Sequence, residues 1–348
     1  MSGRHHLLCV TLAVRLHACY GVTTRFSDEF ATTTVGAPVL VFNEETSFVK
    51  GSIRMQIGLF VSNGIGADWT GRDPQKCWDR SLEISKLADD LGFESIWVPD
   101  HLQSIRVDTP SPTVEAMMHL TAIAQVTKKV NLSTGVACVS FRNPAVLTKM
   151  FSTLDVISGG RAEIAIGAGW HEPEWSAYGI PFPPPKERLA RLRESLEIMT
   201  RMLEPGPSSY KGERYEINEL DMNPLSIRKP RMPIIVGGNG QKVTWRLAAK
   251  YADELNLDGP DPDVISEWMP IIRERCEEID RDPATLNVSA LVFWRGMKGQ
   301  ERVEKLQNMA ELGMSRIHSG NEAESQDSDE PILELIEDCK TAGIELVS

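Results

Sequence analysis

Several chemistries are missing from this chain. Its six cysteines (Cys9, Cys19, Cys77, Cys138, Cys276 and Cys339) are scattered over 348 residues without a CxxC pair. Neither a disulfide framework nor a thiolate zinc site is indicated, and a reducing, cytoplasmic setting is the expectation. No apolar run approaches the roughly 20 residues that a membrane-spanning helix needs. Positive charge is scarce: 37 Lys and Arg stand against 49 Asp and Glu, the formal net charge is −12, and the stretch from Glu322 to Asp338 is acid-rich. Nucleic acids and anionic membranes are bound through clustered cations, so neither is an expected partner and a small-molecule substrate is. GxSxG, HExxH, a Walker loop and a regular pair of metal-spaced histidines are all absent, so no metal is expected.

Residues 1–54 differ from the rest of the chain, with one lysine, Lys50, and no sustained helical or strand pattern. The apolar run from Leu7 to Val14 is cut short by Arg15, which weakens a secretory reading. His5, His6, Cys9, His17 and Cys19 lack a ligand spacing. The expectation is a disordered leader, or a start placed too far upstream, because Met55 directly precedes the first convincing strand.

From Met55 the chain alternates between apolar runs and helical segments. The runs are 55–60, 95–99, 130–136, 162–167, 233–237, 253–258, 287–294 and 314–320, each suited to a buried strand. Asp73-Pro74 and Asn143-Pro144 have the form of a helix cap followed by a first-turn proline, and Gly92 and Gly159 stand where helices should stop. Leu147, Met150, Phe151 and Leu154 recur at helical spacing as one buried stripe. Eight strands, each followed by a helix, predict an α/β fold of the closed (β/α)8 TIM-barrel type over 55–348, with a doubly wound open sheet as runner-up. One interval is irregular: the Pro, Gly and Tyr residues of 201–232 suggest a hairpin inserted between the fourth and fifth strands.

In such a barrel the functional groups gather at the C-terminal ends of the strands. The residues expected there are Asp100 and His101, Gly135 to Cys138, Gly167 to His171, Gly237 to Gly240, Trp294 and His318. Gly167-Ala168-Gly169 resembles the start of a dinucleotide fingerprint, but Glu172 replaces its third glycine and Pro173-Glu174 is expected in place of the helix that would receive a pyrophosphate. These glycines instead suggest bare backbone that a flat ring could approach, or simply a turn. Gly237-Gly238-Asn239-Gly240, followed at once by a helix, has the form of an anion cradle or of a plain glycine-rich turn. His101 can move a proton near neutral pH. Gly135 before Val136 permits a bulge or unusual peptide geometry. Arg142 suggests a substrate or phosphate contact or simply a solvated loop residue, and Trp170, Trp175, Tyr178 and Phe182 an apolar wall beside a planar ligand or simple packing.

Taken in order, SIWVPDHL, FRNPAVLTKMFSTLDVISGGRAEIAIGAGW, ERLARLRESLEIMTRML, YKGERYEI and PIIVGGNG resemble the bacterial luciferase-like monooxygenase superfamily, and within it the oxidoreductases that use coenzyme F-420, a deazaflavin. The resemblance spans 55–348. It implies a barrel holding a flavin or deazaflavin across its mouth, a non-proline cis peptide at Gly135-Val136, ring and ribityl contacts from Asp100, Cys138, Ala168 and Gly169, and phosphate contacts from Gly237, Gly238 and Gly240. It further implies that His101 is the proton donor or acceptor. Relatives that oxidise a sugar phosphate carry a glutamate where this chain has Trp170, so a hydrophobic or aromatic substrate is the expectation. Two alternatives stay open: a monooxygenase using dioxygen and reduced FMN from a partner reductase, and a flavin-binding barrel without turnover. Pairing as a homodimer is left open.

Overall fold

The computed structural model describes residues 55–106, 108–320 and 326–347. The expectations for residues 1–54 lie outside the described residues. All eight runs form strands. They are β1 (Gln56–Phe60), β2 (Ser95–Val98), β3 (Asn131–Thr134) continued after a break by β4 (Ala137–Cys138), β5 (Ile164–Gly167), β8 (Ile234–Gly237), β9 (Glu254–Asp258), β10 (Asn287–Val292) and β11 (Arg316–Gly320). The remaining two, β6 (Ser208–Lys211) and β7 (Glu216–Leu220), form an antiparallel hairpin within the irregular interval. It is tied to the preceding helix by Glu194, whose carboxylate accepts from the Arg214 and Tyr215 N–H groups.

The other nine strands make one sheet in the order β3-β2-β1-β11-β10-β9-β8-β5-β4, with every pairing parallel. The ends meet. Leu132 N–H donates to the Arg161 carbonyl at 2.8 Å and Glu163 N–H to the Leu132 carbonyl at 3.0 Å, so β3 bridges to the start of β5 while β4 pairs with its end. This closure excludes the doubly wound alternative.

The crossovers start and stop where side chains dictate. Helix α1 (Pro74–Leu91) is capped by Asp73, which accepts from Gln75 N–H, and ends at Gly92 in the left-handed region. Helices α2 (Ala116–Val126) and α3 (Pro144–Ser158) are capped in the same manner by Glu115 and Asn143. Within α3, Leu147, Phe151 and Leu154 are buried and Met150 is partly buried, which is the expected stripe. The chain continues through α4 (Glu172–Ala177), α5 (Pro185–Met202), α6 (Thr244–Tyr251), α7 (Pro262–Glu277), α8 (Gln300–Glu311) and α9 (Glu330–Ala342).

Inside the barrel, polarity changes along the axis. At the N-terminal end of the strands, buried Arg316 bonds Glu94 at 2.7 Å, Glu163 at 2.9 Å and Glu254 at 3.0 Å. A cavity of about 510 Å³ opens beneath, lined by these four residues with Arg228 and Arg231. Above them Gly58 leaves space that Ser95 and His318 fill, for a Cβ there would lie 2.4 Å from Ser95 Oγ and 2.6 Å from His318 Nδ1. Higher still, Phe60, Trp97, Ala165, Ile235 and Leu291 form an apolar cluster against which Val136 packs.

Candidate active site

Two of the residues expected at the mouth lie below it. His318 is fully buried, stacked on Trp97 with ring centroids 3.6 Å apart, and burial beside Arg316 holds it well below the usual histidine range. Trp294 is also buried, its indole N–H donating to Ser319 Oγ at 2.7 Å. His318 points into the barrel from within β11, whereas Trp294, two residues past the end of β10, packs into the core between strands and helices beneath Arg302 and Lys305.

The third barrel strand breaks where the sequence suggested, and the Gly135-Val136 peptide is cis. The surrounding glycines serve a different purpose from the one expected. A Cβ on Gly167 would lie 2.9 Å from Val136 Cγ2, and one on Gly237 2.9 Å from both Val136 methyls. A Cβ on Gly135 would lie 2.5 Å from the Phe60 ring. Gly169, at φ +78°, has Cys138 Sγ and the Trp175 ring each 2.6 Å from where its Cβ would be. The space left by Gly167 and Gly169 is therefore filled by protein, and Val136 itself is the side chain these glycines admit to the floor of the mouth. Cys138 is buried there, its thiol pushed up to about 12, mainly by burial.

The short helix α4 is a second correction, since a helix does follow Gly-Ala-Gly-Trp. Pro173 falls in its first turn, where no N–H is required, so proline starts the helix rather than replacing it. That helix places the residue that sequence reasoning missed. Glu174 is completely buried. Its Oε2 lies 2.8 Å from His101 Nδ1, and its Oε1 accepts from Leu102 N–H and, at 3.4 Å, from Gln103 N–H. Tyr178, at the end of the same helix, donates its hydroxyl to the Leu102 carbonyl at 2.8 Å. The loop carrying His101 is thus held from one side by α4.

From the other side it is held through Asp100. Arg142 Nη1 and Nη2 bind the two Asp100 oxygens at 2.8 and 2.9 Å, Cys138 N–H donates to Oδ2 at 2.9 Å, and Arg142 also pairs with Glu115. Both terminal nitrogens of Arg142 are engaged, with 13% of the side chain exposed, so a substrate contact would have to break this network. The expectation of Arg142 as a substrate or phosphate ligand gives way to a structural role. Asp100 likewise faces protein with both oxygens.

The expected aromatic wall divides. Trp175 is buried between Phe141 and Phe182, at centroid distances of 5.4 and 5.0 Å. Trp170 and Tyr178 are 62% and 54% exposed. Trp170 meets His101 edge-on at 5.8 Å and His171 at 5.0 Å. His171 is buried, its Nε2 has no partner among the described residues, and burial and the neighbouring His101 lower its pKa.

At the glycine-rich turn the helix begins at Thr244 and not immediately after Gly240. Gly238, at φ +129°, donates its N–H to the Asn256 carbonyl at 3.0 Å, and the Asn239 side chain clamps the backbone of Asp258. Gly240 fits closely, for a Cβ would lie 2.6 Å from Thr244 Oγ1. The N–H groups of Gly240, Gln241 and Lys242 have no acceptor among the described residues. They, rather than Gly238, are the donors that an anion could take.

A closed parallel barrel with a histidine and an apolar floor at its C-terminal mouth defines the architectural class. Residues 55–330 match the family model of the luciferase-like monooxygenases, and the chain belongs to that family. It is 33% identical over 203 residues to an F420-dependent glucose-6-phosphate dehydrogenase of Kineococcus radiotolerans, covering 57% of this chain and 58% of that one. It is 30% identical over 230 residues to a 5,10-methylenetetrahydromethanopterin reductase of Methanopyrus kandleri, covering 63% of each. The chain thus spans about three fifths of the length of these relatives. Among solved structures, an F420-dependent secondary alcohol dehydrogenase in complex with an F420-acetone adduct superposes with TM-score 0.67 at 21% identity, over 80% of this chain and 98% of that one.

Proposed function

We propose that this protein is a deazaflavin-dependent oxidoreductase that passes a hydride between coenzyme F-420 and an organic substrate, with His101 handling the accompanying proton. The observation that carries this reading is a partly exposed His101 fixed by Glu174 at the C-terminal end of the barrel, above an apolar cluster, in a chain similar to F420-dependent enzymes. The residues present fit such a cofactor. A tricyclic ring would rest on Val136 and the cluster below it, beside the partly exposed Ala168 and Gly169, with Cys138 buried behind Gly169. The free N–H groups at 240–242 suit a phosphate. When bound, the cofactor supplies the hydride chemistry; the protein supplies orientation, exclusion of water and the proton.

The substrate reading rests on Trp170. An exposed indole stands beside His101 at the position where the sequence resemblance implies a glutamate in sugar-phosphate oxidisers, and Arg142 is already committed to Asp100 and Glu115. An apolar or aromatic substrate suits this rim better than a sugar phosphate. Titrating the full-length protein with oxidised coenzyme F-420 and with FMN, by fluorescence quenching, tests the proposal. Deazaflavin binding at least tenfold tighter than FMN is expected, and tight FMN binding without deazaflavin binding would move the protein to the monooxygenase reading.

A further inference from the structure

We propose that Glu174 is a positioning residue that sets the tautomer of His101 and thereby makes Nε2 the atom that exchanges a proton with substrate. The proposal rests on the role given to His101 above. A carboxylate only accepts hydrogen bonds, so the imidazole nitrogen 2.8 Å from it must be the one carrying hydrogen. The neutral ring then presents an unprotonated Nε2. That nitrogen has no partner among the described residues, and 16% of the side chain is exposed at the mouth. One proton moves, from a substrate O–H or N–H to Nε2 in one direction and back in the other, while Nδ1–H stays with Glu174.

No other charged group among the described residues bonds Nδ1. His171 stands 6.2 Å away, centroid to centroid, and Trp170 is uncharged. Asp100, next in the chain, is held by Arg142 and Cys138 N–H, and Arg142 in turn by Glu115. Glu174 is also buried without an ion-pair partner other than His101 among the described residues. A fully buried carboxylate with three N–H groups aimed at it has no role in solvation.

The same geometry makes Glu174→Gln a sharp test. The amide oxygen must remain with the Leu102 and Gln103 N–H groups, because an NH2 there would face donors. The NH2 then faces Nδ1, which can only accept it, so the ring proton shifts to Nε2. Shape is kept and the tautomer is reversed, a change that in a carboxylate-histidine pair elsewhere costs about 10⁴ in turnover.

The experiment uses full-length protein labelled with ¹⁵N-histidine, with His101 assigned from the resonance lost in His101→Gln. Long-range ¹⁵N–¹H correlation spectra of the unliganded protein are expected to show the Nδ1–H tautomer in the parent and Nε2–H in Glu174→Gln. Turnover is expected to fall by about 10²- to 10⁴-fold with deazaflavin affinity unchanged, and His101→Ala added to Glu174→Gln should reduce it no further. An Nε2–H tautomer in the parent would overturn the proposal even if the variant failed to fold, as would a variant whose tautomer and turnover match the parent. The spectra need neither cofactor nor substrate, so a tautomer that reverses in a protein lacking deazaflavin activity would reject the functional reading while leaving the assignment of Glu174 in place.

Discussion

Replacing Glu163 with Gln should change how stability depends on pH, because three carboxylates share one end of the barrel with too little positive charge. Glu94, Glu163 and Glu254 surround Arg316, and Arg228 approaches Glu163 at 3.4 Å. Fully ionised, the cluster carries three negative charges against two positive. Glu94 is compensated by Arg316 Nη1 and by the Asn131 amide at 2.6 Å, and Glu254 by Arg316 and the Ser289 hydroxyl. Glu163 has Arg316 and the more distant Arg228. It is therefore the natural seat of a retained proton, and burial raises its carboxyl to about 7, with Glu94 and Glu254 adding to the rise. The folded value lies above the unfolded one of 4.5, so this proton stabilises the fold fully below pH 4.5 and the contribution is lost as pH rises through 7. A rise of that size corresponds to about 3 kcal/mol. Glu163→Gln keeps an acceptor for Arg316 and removes the titration. Between pH 5 and pH 8.5, the stability of the variant relative to the parent should improve by about 3 kcal/mol, read from urea unfolding at fixed ionic strength. A gap between the two proteins that stayed constant across that range would refute the reasoning.

His119 has the opposite sign. Burial pushes it down to about 4, below the unfolded 6.5, so its contribution is complete above pH 6.5 and is lost as pH falls toward 4, by about 3 kcal/mol; His119→Gln should flatten that acid limb in urea titrations. Gly237→Ala drives a methyl to 2.9 Å from Val136 and should cost about 1–3 kcal/mol, and Val136→Ala in the same chain should recover most of it, as a thermal-melt double-mutant cycle would show.

The barrel was legible because its evidence is local. Eight apolar runs, Asp73 and Asn143 before prolines, and Gly92 and Gly159 after the last buried turn each act within a few residues of where they stand. Glu174 was not legible. Glu-Pro-Glu-Trp is expected in place of a helix, so Glu174 reads as one more acid on a loop, and only the helix that forms there and the return of the chain from residue 101 make it a buried acceptor. Val136 illustrates the same limit. Gly135, Gly167 and Gly237 stand in three different strand-end segments and signal permissiveness individually, yet which side chain uses the space depends on register across β4, β5 and β8. The ion cluster did leave a trace. Glu94, Glu163, Glu254 and Arg316 each stand at the start of an apolar run or directly before it, so parallel strands bring all four to the same end of the barrel.

The change of polarity along the axis separates what holds the barrel together from the residues at its C-terminal end. Charge is concentrated at the N-terminal end, where Arg316 joins strands β5 and β9 to the start of β2 and removal of either partner would strand a buried charge. Next comes a polar layer around His318, and above it the apolar cluster of Phe60 and Trp97, from which only Val136 is partly exposed. Under the function proposed above, a floor of that kind offers a ring no competing hydrogen bonds, and polar recognition falls to the rim, to His101 and the N–H groups at 240–242. The rim groups are set by bonds made behind them, Glu174 to His101 and Arg142 to Asp100, both linking separate βα loops. Under the function proposed above, substrate choice can vary through exposed residues such as Trp170 and Tyr178 while His101 keeps its orientation, provided that Glu174 and the Arg142 network stay in place.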